Sequence, residues 1–170
     1  MEIIFPDRDE DFHLEVANRY RAIYDTMAIE ICPPFPHMKP LLRNLKDAGV
    51  VVTIASSKRS NLVQVVIDHH DLNDYFAMVV GAQEVTHHKP HPESVHITVA
   101  KLDIPHEHTI VIGDSTFDLD MARNAGVDAI GVTTGVHTKE MLERSDPTHI
   151  VEDLVAVEKI ILNGKNGKSV

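Results

Sequence analysis

Between Thr109 and Gly126 the chain reads Thr-Ile-Val-Ile-Gly-Asp-Ser-Thr-Phe-Asp-Leu-Asp-Met-Ala-Arg-Asn-Ala-Gly, with the carboxylates of Asp114 and Asp118 four residues apart. The strand-forming residues Thr109 to Ile112 stop at Gly113, and a helical pattern follows that closes at Gly126 in a C-cap position. A strand that ends in Gly-Asp and turns into a helix presents its carboxylates at the carboxyl end of the strand, where open α/β sheets keep their ligands. This spacing predicts Asp114 on the loop and Asp118 in the first helical turn, both in reach of one hard cation. Mg²⁺ needs such an arrangement: one or two carboxylates, with waters and phosphate oxygens completing the octahedron. Set against this, acids at a helix start are also favoured by the helix dipole alone.

Two other predicted strand ends carry polar groups of different type. Ser56 closes the β-branched run Val50 to Ala55 and offers a hydroxyl, with Ser57 and its backbone N–H beside it. Lys89 lies in the loop Thr86-His87-His88-Lys89-Pro90-His91-Pro92, where Pro90 and Pro92 restrict where its ammonium can go. A hydroxyl, a positioned cation and a carboxylate pair on one rim make a phosphate site. Ser56, Ser57 and Lys89 would bind phosphoryl oxygens, while Asp114 and Asp118 would hold Mg²⁺. Taken singly, a helix N-cap explains Ser56 and solvation explains Lys89; the case rests on their joint occurrence at strand ends.

The elements that must position these residues alternate along the chain. The apolar spacing of Phe12, Val16, Tyr20, Ile23 and Met27 predicts an amphipathic helix over Phe12 to Met27, broken by Cys32-Pro33-Pro34-Phe35-Pro36. A helix over His37 to Ala48, a fully buried strand over Val50 to Ala55 and a helix over Asn61 to His70 follow. Further on come a strand at Ala77 to Val80, a helix at Glu93 to Leu102, the strand and helix of the Thr109 to Gly126 stretch, and a strand at Asp128 to Val132. Helix Lys139 to Glu143, strand His149 to Val151 and helix Glu152 to Ile161 complete the pattern, and a frayed tail is expected from Asn163. Regular alternation of this kind implies right-handed crossovers and a three-layer α/β fold, a Rossmann-like parallel sheet with helices on both faces.

Composition bounds the function. A chain of 170 residues with 43% hydrophobic content suffices for one domain with a packed core. The net charge of −10 disfavours nucleic acid and anionic membrane surfaces as partners, although a bound metal can reverse the sign locally for a small phosphorylated substrate. Cys32 is the lone cysteine and reads as structural, and no signal peptide or membrane-spanning run is present, so a cytoplasmic location is the expectation. The chain contains 12 histidines, clustered at His69-His70, His87-His88-His91 and His106 to His108. None of these clusters has a cysteine or a helical i, i+4 pair, so they read as surface and turn histidines. His91, beside Lys89, is the exception worth testing.

Together, Val50 to Lys58, the Lys89-Pro90-His91-Pro92-Glu93 loop and Gly113 to Gly126 resemble the second, third and fourth motifs of the haloacid dehalogenase-like (HAD) phosphohydrolases. The spacing is most similar to the phosphoglycolate phosphatase branch and its pyrophosphatase cousins, over roughly Phe5 to Leu162. The resemblance implies a HAD-like core at 33–162, a remnant of a helical cap at 1–32 and a flexible tail at 163–170. It also implies Mg²⁺-dependent hydrolysis of a small phosphorylated metabolite, with catalytic roles for Ser56, Lys89, Asp114 and Asp118.

The family's chemistry starts from an aspartate nucleophile on a first strand ending Asp-x-Asp-Gly-Thr, and no such motif occurs here. Asp7-Arg8-Asp9 has the two-residue step, but Glu10 and Asp11 follow it in place of Gly-Thr, and it reads as an acidic cap loop. Without a covalent acceptor the reaction loses its first step, so impaired turnover is expected. A catalytically silent phosphate- or partner-binding protein is the alternative, and a pyrophosphatase the alternative within the same class. The family's first strand also lies mid-sheet, between the strands at Val50 to Ala55 and Thr109 to Ile112. Its omission leaves two apolar edges. Those strands could close the gap, Met1 to Phe5 could fill it, a partner chain or oligomer could supply it, or the sequence could lack its true start.

Overall fold

The structure, a computed structural model, describes residues 4–166. The chain divides into two compact units, Met1–Pro33 and Pro34–Val170. The first is built on helix α1 (Glu10–Ile31), whose start is fixed by the Asp9 carboxylate accepting from the Phe12 amide at 2.9 Å. This N-cap carries the helix back past the predicted Phe12 start, and it continues beyond Met27 until Cys32 and the proline pair stop it. Tyr20, Ile23 and Met27, expected on a buried stripe, are each more than 40% exposed. Asp9 therefore serves as a helix cap. Of the Met1 to Phe5 run, residues 1–3 lie outside the described residues.

The second unit alternates helices and parallel strands: α2 (Met38–Asp47), β1 (Val52–Ala55), α3 (Ser60–His69), β2 (Phe76–Val80), α4 (Glu93–Leu102), β3 (Ile110–Gly113), α5 (Thr116–Ala125), β4 (Asp128–Val132), α6 (Lys139–Glu143), β5 (His149–Val151) and α7 (Leu154–Asn166). The last helix runs through Asn163 and Gly164, where a frayed tail was expected. Its inner face explains the continuation: Val157 is fully buried against Leu41, Leu45, Ile130 and Val132, and Ile161 and Leu162 pack on the same cluster. Packing of an apolar face outweighs the weak propensity of Asn and Gly. On α7 the Glu158 carboxylate also receives the Asn44 amide at 2.7 Å and His37 at 2.6 Å, which holds its pKa below the ordinary value.

The sheet is parallel throughout, but it comes in two pieces. β1 pairs with β2, and β3, β4 and β5 pair in that order, while β1 and β3 share no ladder. The possibility that the strands flanking the gap close it directly is thus overturned. Apolar layers nevertheless span the break. Val52 of β1 and Ile110 of β3 pack on the cluster under α2 and α7, and Ala55 and Val111 pack on the cluster of α4 and α5. Between the two edges lies a cavity of about 220 Å³, walled by Val52, Thr53, Ile110 and Val111 and floored by Val95, Val99 and Met121. For this reason β1, expected to be buried on both faces, is half-buried along its whole length, and Val51 before it is 53% exposed.

Ile130 is fully buried at the centre of β4, between two paired neighbours. Ile130→Ala should lower unfolding free energy by about 2–5 kcal/mol, through lost transfer energy and the cavity left behind. Val65→Ala, on the exposed face of α3, should change it by less than about 1 kcal/mol. Urea denaturation of the two variants checks both.

Candidate active site

β1 and β3 run parallel to their own neighbours and end at Ala55 and Gly113, so polar residues just beyond them define a rim of strand ends. After Ala55 the chain is held by backbone bonds to the next strand: the Ser56 amide donates to Val80 at 2.8 Å, and the Ala82 amide donates to the Lys58 carbonyl at 2.9 Å. The fit needs glycine at position 81, where a Cβ would press on the Ser60 and Lys58 backbone. The Ser56 hydroxyl accepts from the Lys58 amide at 3.1 Å. One lone pair is used that way, and the hydroxyl proton remains free to turn toward an incoming oxygen.

Lys89 reaches the same rim from the loop before α4. That loop is pinned by its own helix: the Glu93 carboxylate receives the Thr86 and His87 amides, both at 2.8 Å, and the His87 ring at 2.9 Å. The two backbone bonds are the main reason the Glu93 pKa falls to about 2, with the His87 ring adding to the effect. From the other side Asn124 of α5 donates to the Pro90 carbonyl at 2.9 Å. Thus fixed, the Lys89 ammonium donates to the Ala55 carbonyl at 2.8 Å and to Asp118 at 2.6 Å, and both side chains are only 14% exposed.

Asp118 is placed by the start of α5. Ser115 is the N-cap, and its hydroxyl donates to the second Asp118 oxygen at 2.6 Å. Gly113 leaves room for the Asp118 side chain, since a Cβ there would collide with it. The carboxylate therefore meets Lys89 with one oxygen and Ser115 with the other. Asp114, directly after β3, turns to the loop that follows β4. There its carboxylate accepts from the Val136 amide at 3.1 Å, its carbonyl accepts from the His137 amide at 3.2 Å, and a Cβ at Gly135 would fall on the carboxylate. His137 in turn accepts from the Thr116 amide at 2.9 Å.

Of the residues singled out from sequence, Ser56, Ser57 and Lys89 line one small cavity, and Lys89 and Asp118 together line the slot between β1 and β3. Asp114 lines neither and stands next to Gly113 on the side of the β4 loop. Sequence reasoning missed Ser115, Glu93 and the Gly135–His137 loop. The first carried a readable signal, because Ser-x-x-Asp ahead of an apolar run is a capping pattern. The loop carried none, as its partner is more than 20 residues away. His87 and His91 are exposed, as the surface reading of the histidine clusters expects, and they also come together with Glu93, which sequence spacing did not suggest.

Residues 3–132 match the haloacid dehalogenase-like hydrolase family. The chain belongs to this family. It is 36% identical over 146 residues to Probable phosphatase IndB of Dickeya dadantii, covering 84% of this chain and 64% of that one. A Caldanaerobacter subterraneus protein bearing the name pyrophosphatase PpaX is 33% identical, with 73% and 56% covered. The phosphoglycolate phosphatase of Vibrio vulnificus is 25% identical, with 94% and 70% covered. The chain thus spans 64% and 56% of the lengths of the first two relatives. Among solved structures, a Bacteroides fragilis protein described as a haloacid dehalogenase-like hydrolase superposes with a TM-score of 0.85 at 29% identity, over 92% of this chain and 74% of its own. These likenesses give the chain an α/β fold of the Rossmann type. Among the described residues no helix is long and apolar enough to cross a membrane.

The Glu93 anchor has a definite pH signature. Its pKa is depressed from 4.5 to about 2, so the order it gives the Lys89 loop is complete above pH 4.5 and is lost as pH falls toward 2. In an NMR titration the Thr86 and His87 amide signals should move with a midpoint near 2. In Glu93→Gln they should already be displaced at pH 7.

Proposed function

We propose that this chain carries the phosphate- and cation-binding residues of a Mg²⁺-dependent phosphomonoester hydrolase acting on a small phosphorylated metabolite, similar to phosphoglycolate phosphatase. One observation carries the reading: the Lys89 ammonium, held between the Ala55 carbonyl and Asp118, borders the same cavity as Ser56 and Ser57. An ammonium has three donors, and two are spent on the protein. The third, with the Ser56 hydroxyl, suits a phosphoryl oxygen in a partly dehydrated pocket. Asp118 holds the ammonium in place and keeps it from collapsing onto the substrate alone.

The acids fit a hard cation. Asp114 offers an anionic oxygen that no hydrogen-bond donor occupies among the described residues, and Asp118 keeps spare lone pairs on oxygens shared with Lys89 and Ser115. Oxygen donors of this kind suit Mg²⁺ better than a nitrogen-preferring metal. When bound, the cation would offset charge on the transferring phosphoryl group.

The nucleophile is the missing part. Asp9 caps α1, and the slot between β1 and β3 is where a further parallel strand would bring a carboxylate to the rim. We propose that a strand from outside the described residues, or from a partner chain, completes the enzyme there. Its absence would leave a phosphate-binding protein with turnover lower by several orders of magnitude, at about 1.4 kcal/mol of barrier each. A pyrophosphate substrate is the variant of this reading that the PpaX relative supports.

Two measurements test the proposal: hydrolysis of p-nitrophenyl phosphate with and without Mg²⁺, and phosphate binding by calorimetry. Asp114→Asn should abolish any Mg²⁺-dependent turnover, and Lys89→Ala should weaken phosphate binding at least about tenfold, the loss of a charge-assisted contact. Turnover indifferent to Asp114→Asn, or phosphate binding untouched by Lys89→Ala, would remove the site from the reaction. Binding without turnover, lost in Lys89→Ala, would favour the silent form of the protein.

A further inference from the structure

Two imidazoles of the Lys89 loop stack on each other: the rings of His87 and His91 are 4.5 Å apart at 30°. Their Nδ1 atoms converge on a single oxygen, Oε2 of Glu93, at 2.9 and 4.0 Å. We propose that His87, His91 and Glu93 form a binding site for a borderline divalent cation of the Zn²⁺ type, separate from the oxygen-only site at Asp114.

The ligand atoms of all three residues lie within 4.8 Å of one another. Tetrahedral zinc with bonds of about 2.0–2.1 Å places its ligand atoms about 3.3 Å apart, and the two measured separations bracket that value. The change required is local: the His91 nitrogen closes on Oε2 by about 0.7 Å, the two stacked rings turn so that both ring nitrogens face one point, and the cation takes the place of the His87–Glu93 hydrogen bond. The Thr86 and His87 amides, both donating to the Glu93 carboxylate, favour its ionised form. Those amides also fix its orientation, so the carboxylate is prepared before any cation arrives. The His91 Nδ1 accepts from the Glu93 amide at 3.3 Å, a long bond that is cheap to give up.

A structural role for Glu93 as the loop anchor explains its two backbone bonds but leaves the stacked imidazoles unaccounted for. Imidazole nitrogen selects Zn²⁺, Ni²⁺ or Co²⁺ over Mg²⁺. The side chains of His87 and His91 are 62% and 48% exposed, so the remaining coordination position opens to water and the site is of the exchangeable kind. Because His87 also borders the cavity of Ser56 and Lys89, a bound cation would stiffen the loop that carries Lys89.

The test uses the full chain and Zn²⁺ alone, with affinity read by competition against a chromophoric chelator, so that no substrate or turnover is involved. The protein should take up one tight equivalent of Zn²⁺ that excess Mg²⁺ does not displace. His87→Ala and His91→Ala should each weaken that equivalent at least about tenfold, whereas His106→Ala, in a different cluster, should leave it unchanged. Far-UV circular dichroism of the two variants should match the parent. Zn²⁺ affinity that is the same in the parent, His87→Ala and His91→Ala overturns the site, as does a loss of equal size in His106→Ala. Either failure leaves the phosphatase reading standing, since that reading rests on Ser56, Lys89, Asp114 and Asp118 and on no imidazole as a ligand.

Discussion

The Lys89 ammonium connects parts of the molecule that the backbone leaves unconnected. β1 and β3 share no hydrogen-bonded ladder, yet one side chain donates to the last carbonyl of β1 and to a carboxylate on the helix that leaves β3. Both partners are 14% exposed. Removing either one would leave a charge in a poorly hydrated place, which costs more than the pair itself contributes. The rim is therefore organised by a charge interaction that has to exist before any ligand binds. The apolar layers above and below the slot bring the half-sheets together, and the ammonium links their carboxyl ends through Ala55 and Asp118.

The surrounding contacts follow from that constraint. An ammonium so placed needs a loop that does not wander, and Glu93 supplies it by gathering the Thr86 and His87 amides onto a carboxylate in the first turn of α4. It needs a carboxylate in a defined rotamer, and Ser115 supplies that by capping α5 and bonding the second oxygen of Asp118. It needs the helix to start close to the strand, which Gly113 permits because it has no Cβ to meet the Asp118 side chain. Each is a local device, and together they hold a cation against a carbonyl and a carboxylate in a chain whose net charge is −10. At long range this charge repels a phosphate, so the attraction that admits one has to be built at the rim itself.

How much of this could be read from the letters depends on how local each cause is. Helix α4 at Glu93–Leu102, strand β4 at Asp128–Val132, helix α6 at Lys139–Glu143 and strand β5 at His149–Val151 were expected at the bounds observed, because prolines, glycines and caps next to them mark the ends. Where the cause is distant the reading slips. β1 begins at Val52 rather than Val50, since a strand with one open edge is ordered only where β2 pairs with it. α7 extends to Asn166 because β4 and α2 offer it an apolar floor that a propensity argument does not see. Within the site, Asp114, Asp118 and Ser56 were legible as polar groups at strand ends. The grip of Val136 on Asp114 and the convergence of His87, His91 and Glu93 were not, being products of folding rather than of spacing.

The slot follows the same logic one level up. Two parallel edges facing each other across an apolar cavity expose backbone donors and acceptors that natural sheets pair, cover or blunt. Here, among the described residues, they are not paired with each other. The charged groups at the carboxyl end of the slot, Lys89 and Asp118, line it together with its valines and isoleucines. A strand lying in that slot would satisfy both edges at once and deliver the residue after its last hydrogen bond to the ammonium. Strand pairing and active-site assembly would then be one event, and the polar rim would stay incomplete for the same reason that the sheet is split.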